Sequence, residues 1–305
     1  MLSLRAIMKE RTLSKSCKFE GKGLHTGVYS HMTVSPAESG TGIVFVRTDL
    51  GETIPALAEN VSSTARCTLI SKGDASVSTI EHLMSAFTGL GIDNAIVEID
   101  NGEVPILDGS ARFYAKAFAE AGVVEQDAER KYFDIPETVE IKDEKSGSWV
   151  RIEPAGHLSY DITVDFNSRV LGVQTAHWDE TEDYASQIAV CRTFVFFHEV
   201  QFLASQGLVK GGDVDNAIVV VEHPVDDATV AHMAELFNQP KLSVTPEGYL
   251  SNLVLNFPDE CGRHKLLDLI GDIRLAGGYL RAHISAYKPG HTINTNAAKA
   301  VQKLI

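Results

Sequence analysis

The segment from Arg263 to Ile273 constrains the fold most tightly. His264, Asp268 and Asp272 recur every four residues, and Leu266, Leu267, Leu269, Ile270 and Ile273 fill the positions around them. On a helix, side chains four apart share one face, roughly 40° apart around the axis. The apolar residues require this helix to be substantially buried. A buried stripe of one imidazole and two carboxylates is costly unless each group is paired or metal-bound. Taken alone, an exposed helix edge with an ordinary His–Asp pair accounts for the spacing equally well.

A second polar cluster, Ser78-Thr79-Ile80-Glu81-His82-Leu83-Met84, lies far away in the chain. Together the clusters offer His82, His264 and Asp268. Two histidines and one carboxylate are a recognised zinc set that leaves a fourth position to water. Glu81, beside a ligand, stands where a general base is useful. The order here is Glu-His and no HExxH occurs, so spacing alone does not establish the site. A lone histidine on an amphipathic helix is more often packed or exposed, and that reading of His82 stays open. His291, in Lys288-Pro289-Gly290-His291, follows a Pro-Gly pair expected to make a tight turn; a surface turn histidine is the commoner outcome. Gly21-Lys22-Gly23-Leu24-His25-Thr26-Gly27 lacks the GxxxxGK[ST] spacing of a phosphate loop and reads as a hairpin turn. His223 and His232 show no partner pattern.

The chain has 305 residues, which suggests two domains. Its net charge of -14 argues against nucleic acid as the main partner. The four cysteines form no CxxC pair and read as free thiols of a reducing compartment, so a cytoplasmic location is expected. Met1–Ile7 is too short for the apolar core of a signal peptide, and no run of about 18 apolar residues exists to span a membrane.

Along the chain, Gly42–Arg47 reads as a strand. Ile80, Leu83, Met84, Phe87 and Leu90 recur at helical spacing, with Gly91 as the stop. Asn94–Ile99 returns to strand. Pro105–Gly109 is turn-rich, and Ser110 is expected to cap a helix through Phe113, Ala117 and Phe118. The polar run Glu125–Lys131 is the best candidate for a linker, dividing an N-terminal domain, 1–127, from a C-terminal one, 132–305. Strands are expected at Thr138–Ile141, Trp149–Ile152, Leu158–Phe166 and Ala217–Val221. Helices are expected near Glu199–Gln206, over Asp226–Phe237, and from Cys261 past Ile273 as the last strong one. The fold class is α+β, with two units that each offer strands and then a helix bearing metal-type residues.

These segments resemble UDP-3-O-acyl-N-acetylglucosamine deacetylase, the zinc amidase that commits bacteria to lipid A synthesis. The likeness runs through Arg11-Thr12-Leu13, Gly23-Leu24-His25-Thr26-Gly27, Ser78–Leu83, Gly89–Asn94 and Pro105–Ser110. It continues through Arg192-Thr193-Phe194, His264–Asp268 with Gly271-Asp272, and Gly290-His291. The resemblance implies His82, His264 and Asp268 as ligands of Zn2+, with Fe2+ also suited to them. It implies Glu81 as general base, His291 as general acid and Asp272 as its orienting partner. Thr193 would lie near the oxyanion, Lys265 near sugar and phosphate groups, and Phe194 beside the sugar. The implied fold packs two α+β domains through their helices, with the sheets outside. An insert near 197–221 would form an apolar passage for the acyl chain, with Val200, Leu203, Leu208, Val209 and Val219 as wall candidates. Ordinary core packing explains those five equally well.

Two departures stand out. Val195 occupies a position where many members have glycine, and the stretch from Glu222 to Glu260 is longer than in compact members. The longer form resembles a lineage fused to a hydroxyacyl-carrier-protein dehydratase. The sequence to Ile305 leaves no room for that second enzyme, so a separated domain or a stand-alone form is expected, with a fused or separate dehydratase as the candidate partner. The expected reaction is hydrolysis of the acetamide of acylated UDP-N-acetylglucosamine. The competing reading is a non-catalytic, metal-stabilised binding protein on the same fold. A metallopeptidase is disfavoured by the absent HExxH.

Overall fold

The computed structural model describes residues 8–205, 211–213, 215–237, 239 and 241–304, with backbone alone at 203–205 and 236. Seven α-helices are described: α1 Glu81–Gly89, α2 Arg112–Ala121, α3 Tyr184–Gln187, α4 Phe197–Ser205, α5 Asp227–Leu236, α6 Glu260–Ile273 and α7 His291–Gln302.

The first unit is built on a five-stranded sheet. Its order is Cys17–Lys22, Tyr29–Pro36, Ala95–Ile99, Ile43–Arg47, Glu52–Pro55. Only the pairing of Ile43–Arg47 with Ala95–Ile99 is parallel. Strands 17–22 and 29–36 join through the Gly23–Gly27 turn, where the Gly23 amide donates to the Val28 carbonyl (2.8 Å). A smaller antiparallel sheet, Val61–Ser63, Leu69–Lys72 and Ala75–Ser78, leads directly into α1.

The second unit's sheet runs Val139–Asp143, Ser148–Pro154, Tyr279–Tyr287, Ser159–Asp165, Val173–Asp179, with Tyr132–Asp134 parallel to the start of Tyr279–Tyr287. The central strand 279–287 alternates Leu280, Ala282, Ile284 and Ala286 inward, the two-residue period of a strand with one buried face. Helices α6 and α7 pack on this sheet, α2 packs on the first, and α1 meets α6 between them. One continuous apolar core runs from Leu13 through both units to Val301. The α+β architecture expected from the sequence is therefore present.

Several local expectations change. The polar run taken as a linker is mostly strand: Val123–Glu129 pairs antiparallel with Lys9–Leu13. Glu125, Asp127 and Glu129 face solvent on a two-stranded ribbon, where polarity is no obstacle to pairing, while Arg130 just beyond the strand turns inward to Asp93. Helix α6 is not the last helix, because His291 begins α7. The Pro289-Gly290 pair ends one element and Gly290 stands at the N-cap of the next, and the spacing of Ile293, Ala297, Ala298 and Val301 carries the buried face. Ser110 precedes the cap residue Ala111 rather than occupying it, although its hydroxyl accepts from the Arg112 amide. Phe113 points outward at 42% exposure, and Tyr114, Ala115, Phe118 and Ala121 form the buried face of α2 instead.

Strand Phe194–Phe196 pairs parallel with Ile218–Val220. With α4 and α5 it builds a satellite core of Phe197, Val200, Val219, Met233 and Leu250. The long 222–260 stretch is thus packed against the insert. No helix among the described residues is long and apolar enough to cross a membrane.

Candidate metal centre

Helices α1 and α6 cross at very short range. A Cβ on Gly271 would overlap the Glu81 carbonyl oxygen, so only glycine permits this approach. The crossing joins the two sequence clusters.

His82, His264 and Asp268 converge, with one ligand atom of each within 4.8 Å of the others. The Nε2 atoms of His82 and His264 lie 3.7 and 3.4 Å from Asp268 Oδ1. The two rings are nearly perpendicular, with centroids 5.0 Å apart. His264 Nδ1 lies 3.1 Å from the Cys191 carbonyl, which can only accept, so this nitrogen carries the proton and Nε2 keeps its lone pair. Burial, with His264 alongside, holds the His82 imidazole down to about 3, and burial lowers His264 as well. Both rings are therefore neutral and able to ligate.

Asp268 behaves in the opposite way. Burial alone would raise its carboxyl, but Lys265 and the imidazoles outweigh that and hold it well below the usual carboxylate range. Lys265 Nζ donates to Oδ2 at 2.8 Å, while Oδ1 is buried with no hydrogen-bond partner among the described residues. A charged, buried oxygen left bare between two neutral imidazoles is a large desolvation cost, and a cation removes it. The donor set suits a divalent ion that takes nitrogen and oxygen ligands.

Glu81 and His291 lie beside this triad. Glu81 is buried, its Oε2 accepting from the Thr68 amide (3.1 Å) and its Oε1 3.7 Å from His291 Nε2. Burial pushes the Glu81 carboxyl up to about 7; Asp272 and Asp268 add to this and His291 opposes it. His291 Nδ1 meets Asp272 Oδ2 at 3.0 Å. Burial would lower this imidazole, but Asp272 and then Glu81 raise it to about 9. Asp272 is itself fully buried and fixed by Thr68 Oγ1 (2.6 Å) and Asn294 Nδ2 (3.0 Å).

His82, His264, Asp268, Glu81 and His291 line a cavity of about 690 Å³, which also takes in Thr193, Phe194 and Lys265, whereas Asp272, Thr68 and Asn294 lie behind its wall. Lys265 Nζ sits 5.4 Å from the centre of the Phe194 ring. Thr193 is fixed by its backbone, its amide donating to the Gly109 carbonyl and its own carbonyl accepting from Ile218. Val200 and Val219 line the same cavity while belonging to the satellite core. The Leu203 side chain, Leu208 and Val209 lie outside the described residues.

Reading the sequence alone overlooked Thr68, Asn294 and the cavity-lining His25 and Cys67. Asn294 follows His291 by one helical turn, a signal legible only once α7 is recognised. Thr68 carries no spacing signal, since it reaches Asp272 across 204 residues.

A family model described as UDP-3-O-acyl N-acetylglycosamine deacetylase matches residues 10–239 and 239–303. The bifunctional enzyme LpxC/FabZ of Porphyromonas gingivalis is 41% identical over 301 residues, covering 98% of this chain and 65% of that protein. The UDP-3-O-acyl-N-acetylglucosamine deacetylase of Helicobacter hepaticus is 40% identical over 295 residues, covering 96% and 90%. That of Trichormus variabilis is 37% identical over 305 residues, covering 97% and 99%. The chain thus spans about 65% of the length of its bifunctional relative and nearly all of the single-function ones.

Proposed function

The chain belongs to the UDP-3-O-acyl N-acetylglycosamine deacetylase family, and from that premise we propose that it hydrolyses the acetamide of an acylated UDP-N-acetylglucosamine, releasing acetate and the free amino sugar nucleotide. In lipid A biosynthesis this is the committed step. The observation that carries the reading is the bare Oδ1 of Asp268 between the Nε2 atoms of two neutral histidines, at the floor of a large cavity.

His82, His264 and Asp268 would hold the cation, Zn2+ in this reading, with Fe2+ as the alternative. When bound, such an ion polarises the amide carbonyl and lowers the pKa of water toward about 7. Glu81, whose carboxyl is raised to about 7, is matched to take the proton from attacking water near neutral pH. Thr193 would donate toward the developing oxyanion, the kind of contact that often supplies the largest share of rate enhancement. His291, protonated at neutral pH and aimed by Asp272, would give its proton to the leaving amine. An amine leaves poorly without that proton. Lys265 and Phe194 would receive the sugar and phosphate groups, and Val200 and Val219 the start of the acyl chain.

In this reading residues 1–127 and 132–305 are the two domains, the location is cytoplasmic, and a dehydratase, fused or separate, is a partner. The test is acetate release from acylated UDP-N-acetylglucosamine, with and without a chelator, followed by add-back of Zn2+ or Fe2+. Loss on chelation and recovery on add-back are expected. Metal binding without acetate release would instead favour the non-catalytic binding protein.

A further inference from the structure

Glu103 is fully buried, and among the described residues no lysine or arginine forms an ion pair with it. Its carboxylate is satisfied by neutral donors from two separate segments. Oε1 accepts from the His25 amide (2.9 Å) and from Thr79 Oγ1 (2.8 Å). Oε2 accepts from the Thr26 amide (2.8 Å) and from Thr26 Oγ1 (2.5 Å). Burying a carboxylate this way is expensive, and four donors converging on two oxygens are what keep it ionised there.

Both segments serve the metal centre. The Gly23–Gly27 turn carries His25 onto the cavity wall, the wall that His291 also lines. Gly23 allows no side chain, because a Cβ there would run into the Glu103 carboxylate. The turn's other side is pressed by Gly211, whose Cβ would overlap the Gly23 carbonyl. Thr79 has a φ of 59°, a left-handed conformation that is strained for a β-branched residue. It stands two residues before Glu81, so its conformation sets the direction in which α1 starts.

We infer that Glu103 is a positioning residue of the amidase site, a buried clamp that holds the His25 turn and the start of α1 in fixed relation. Its functional effect runs through His25. The inference rests on the amidase reading.

In Glu103→Gln one oxygen becomes an NH2 group facing donors, so half of the clamp is lost. A displacement of about 1 Å near the reacting groups costs on the order of 10²-fold in rate. The experiment compares the metal-loaded wild type with Glu103→Gln, His25→Ala and the double variant. It measures kcat/KM for acetate release, metal content, and hydrogen exchange of the His25 and Thr26 amides. Glu103→Gln is expected to keep its metal, to exchange faster at 25 and 26, and to lose on the order of 10²-fold in kcat/KM. In the His25→Ala background most of that loss should vanish. Unchanged kcat/KM, or losses that simply multiply in the double variant, would overturn the inference. Should Glu103→Gln fail to fold, Thr26→Val removes one of the four donors and should shift both readouts the same way, by less; no shift in either would count against the clamp. A wild-type chain that releases no acetate would sink the amidase reading instead. The exchange data would then still decide the clamp, unchanged protection at 25 and 26 refuting it.

Discussion

Gly271 in the last turn of α6 lies against the backbone of Glu81 at the first residue of α1. A Cβ at 271 would overlap the Glu81 carbonyl oxygen and sit 3.1 Å from the Ser85 amide nitrogen. This single contact sets the distance between the helix that carries His82 and the helix that carries His264 and Asp268.

Gly271→Ala must therefore push the two helices apart. Inserting a methyl group into a packed interior costs about 1–3 kcal/mol. The displacement falls on the metal ligands, so affinity for the cation should drop together with the melting temperature. Calorimetric Zn2+ titration and a thermal melt check this; wild-type values for both would refute the proposed role of the crossing.

Glu81→Ala should keep the metal and lose turnover. Glu81 contributes no atom to the three-ligand group, and a positioned base is worth about 10²–10⁴-fold. Elemental analysis alongside single-turnover rates separates the two effects. Equal turnover in the loaded variant would remove Glu81 from the role of base.

Activity should follow a bell in pH. The base must be deprotonated, so kcat/KM rises as pH passes the Glu81 value, about 7 without a cation and lower beside one. The acid must be protonated, so kcat/KM falls as pH rises through about 9, the His291 value. Asp272 is the strongest influence raising His291 against the opposing effect of burial. Asp272→Asn should therefore move the descending limb to lower pH, and a limb that stays in place would exclude His291 as the acid.

Away from the site, Arg130 grips Asp93 through Nε (2.9 Å to Oδ1) and Nη2 (2.7 Å to Oδ2), and both residues are buried. Arg130→Ala leaves the carboxylate in the interior without its cation, held among the described residues only by the Arg11 amide (2.8 Å to Oδ2). Breaking a buried pair in this way costs about 3–5 kcal/mol. Chemical denaturation should show that loss, with metal content of the folded fraction unchanged. A loss under 1 kcal/mol would mean that water reaches Asp93.

Much of this protein could be read without coordinates, because periodicity survives in one dimension. The four-residue repeat of His264, Asp268 and Asp272 inside an apolar helix signals a buried polar stripe, and α6 bears it out. The run of β-branched and aromatic residues in Gly42–Arg47 marked a strand by composition, and Ile43–Arg47 is one. The errors came where local composition competes with long-range pairing. The charged run 123–129 is a strand only because residues 9–13 lie beside it, and the Pro-Gly pair before His291 marks a helix start as readily as a surface turn.

Sequence determined which residue types were present to bind a cation and move protons. It did not determine their company. The bareness of Asp268 Oδ1, the hold of Thr68 on Asp272 and the four donors around Glu103 all join segments distant in the chain. Those relations are set by how closely two helices and a turn can approach, which depends on glycines such as Gly271 and Gly23 meeting backbone or carboxylate atoms. Contact of that kind is a property of three-dimensional packing, and no linear spacing encodes it.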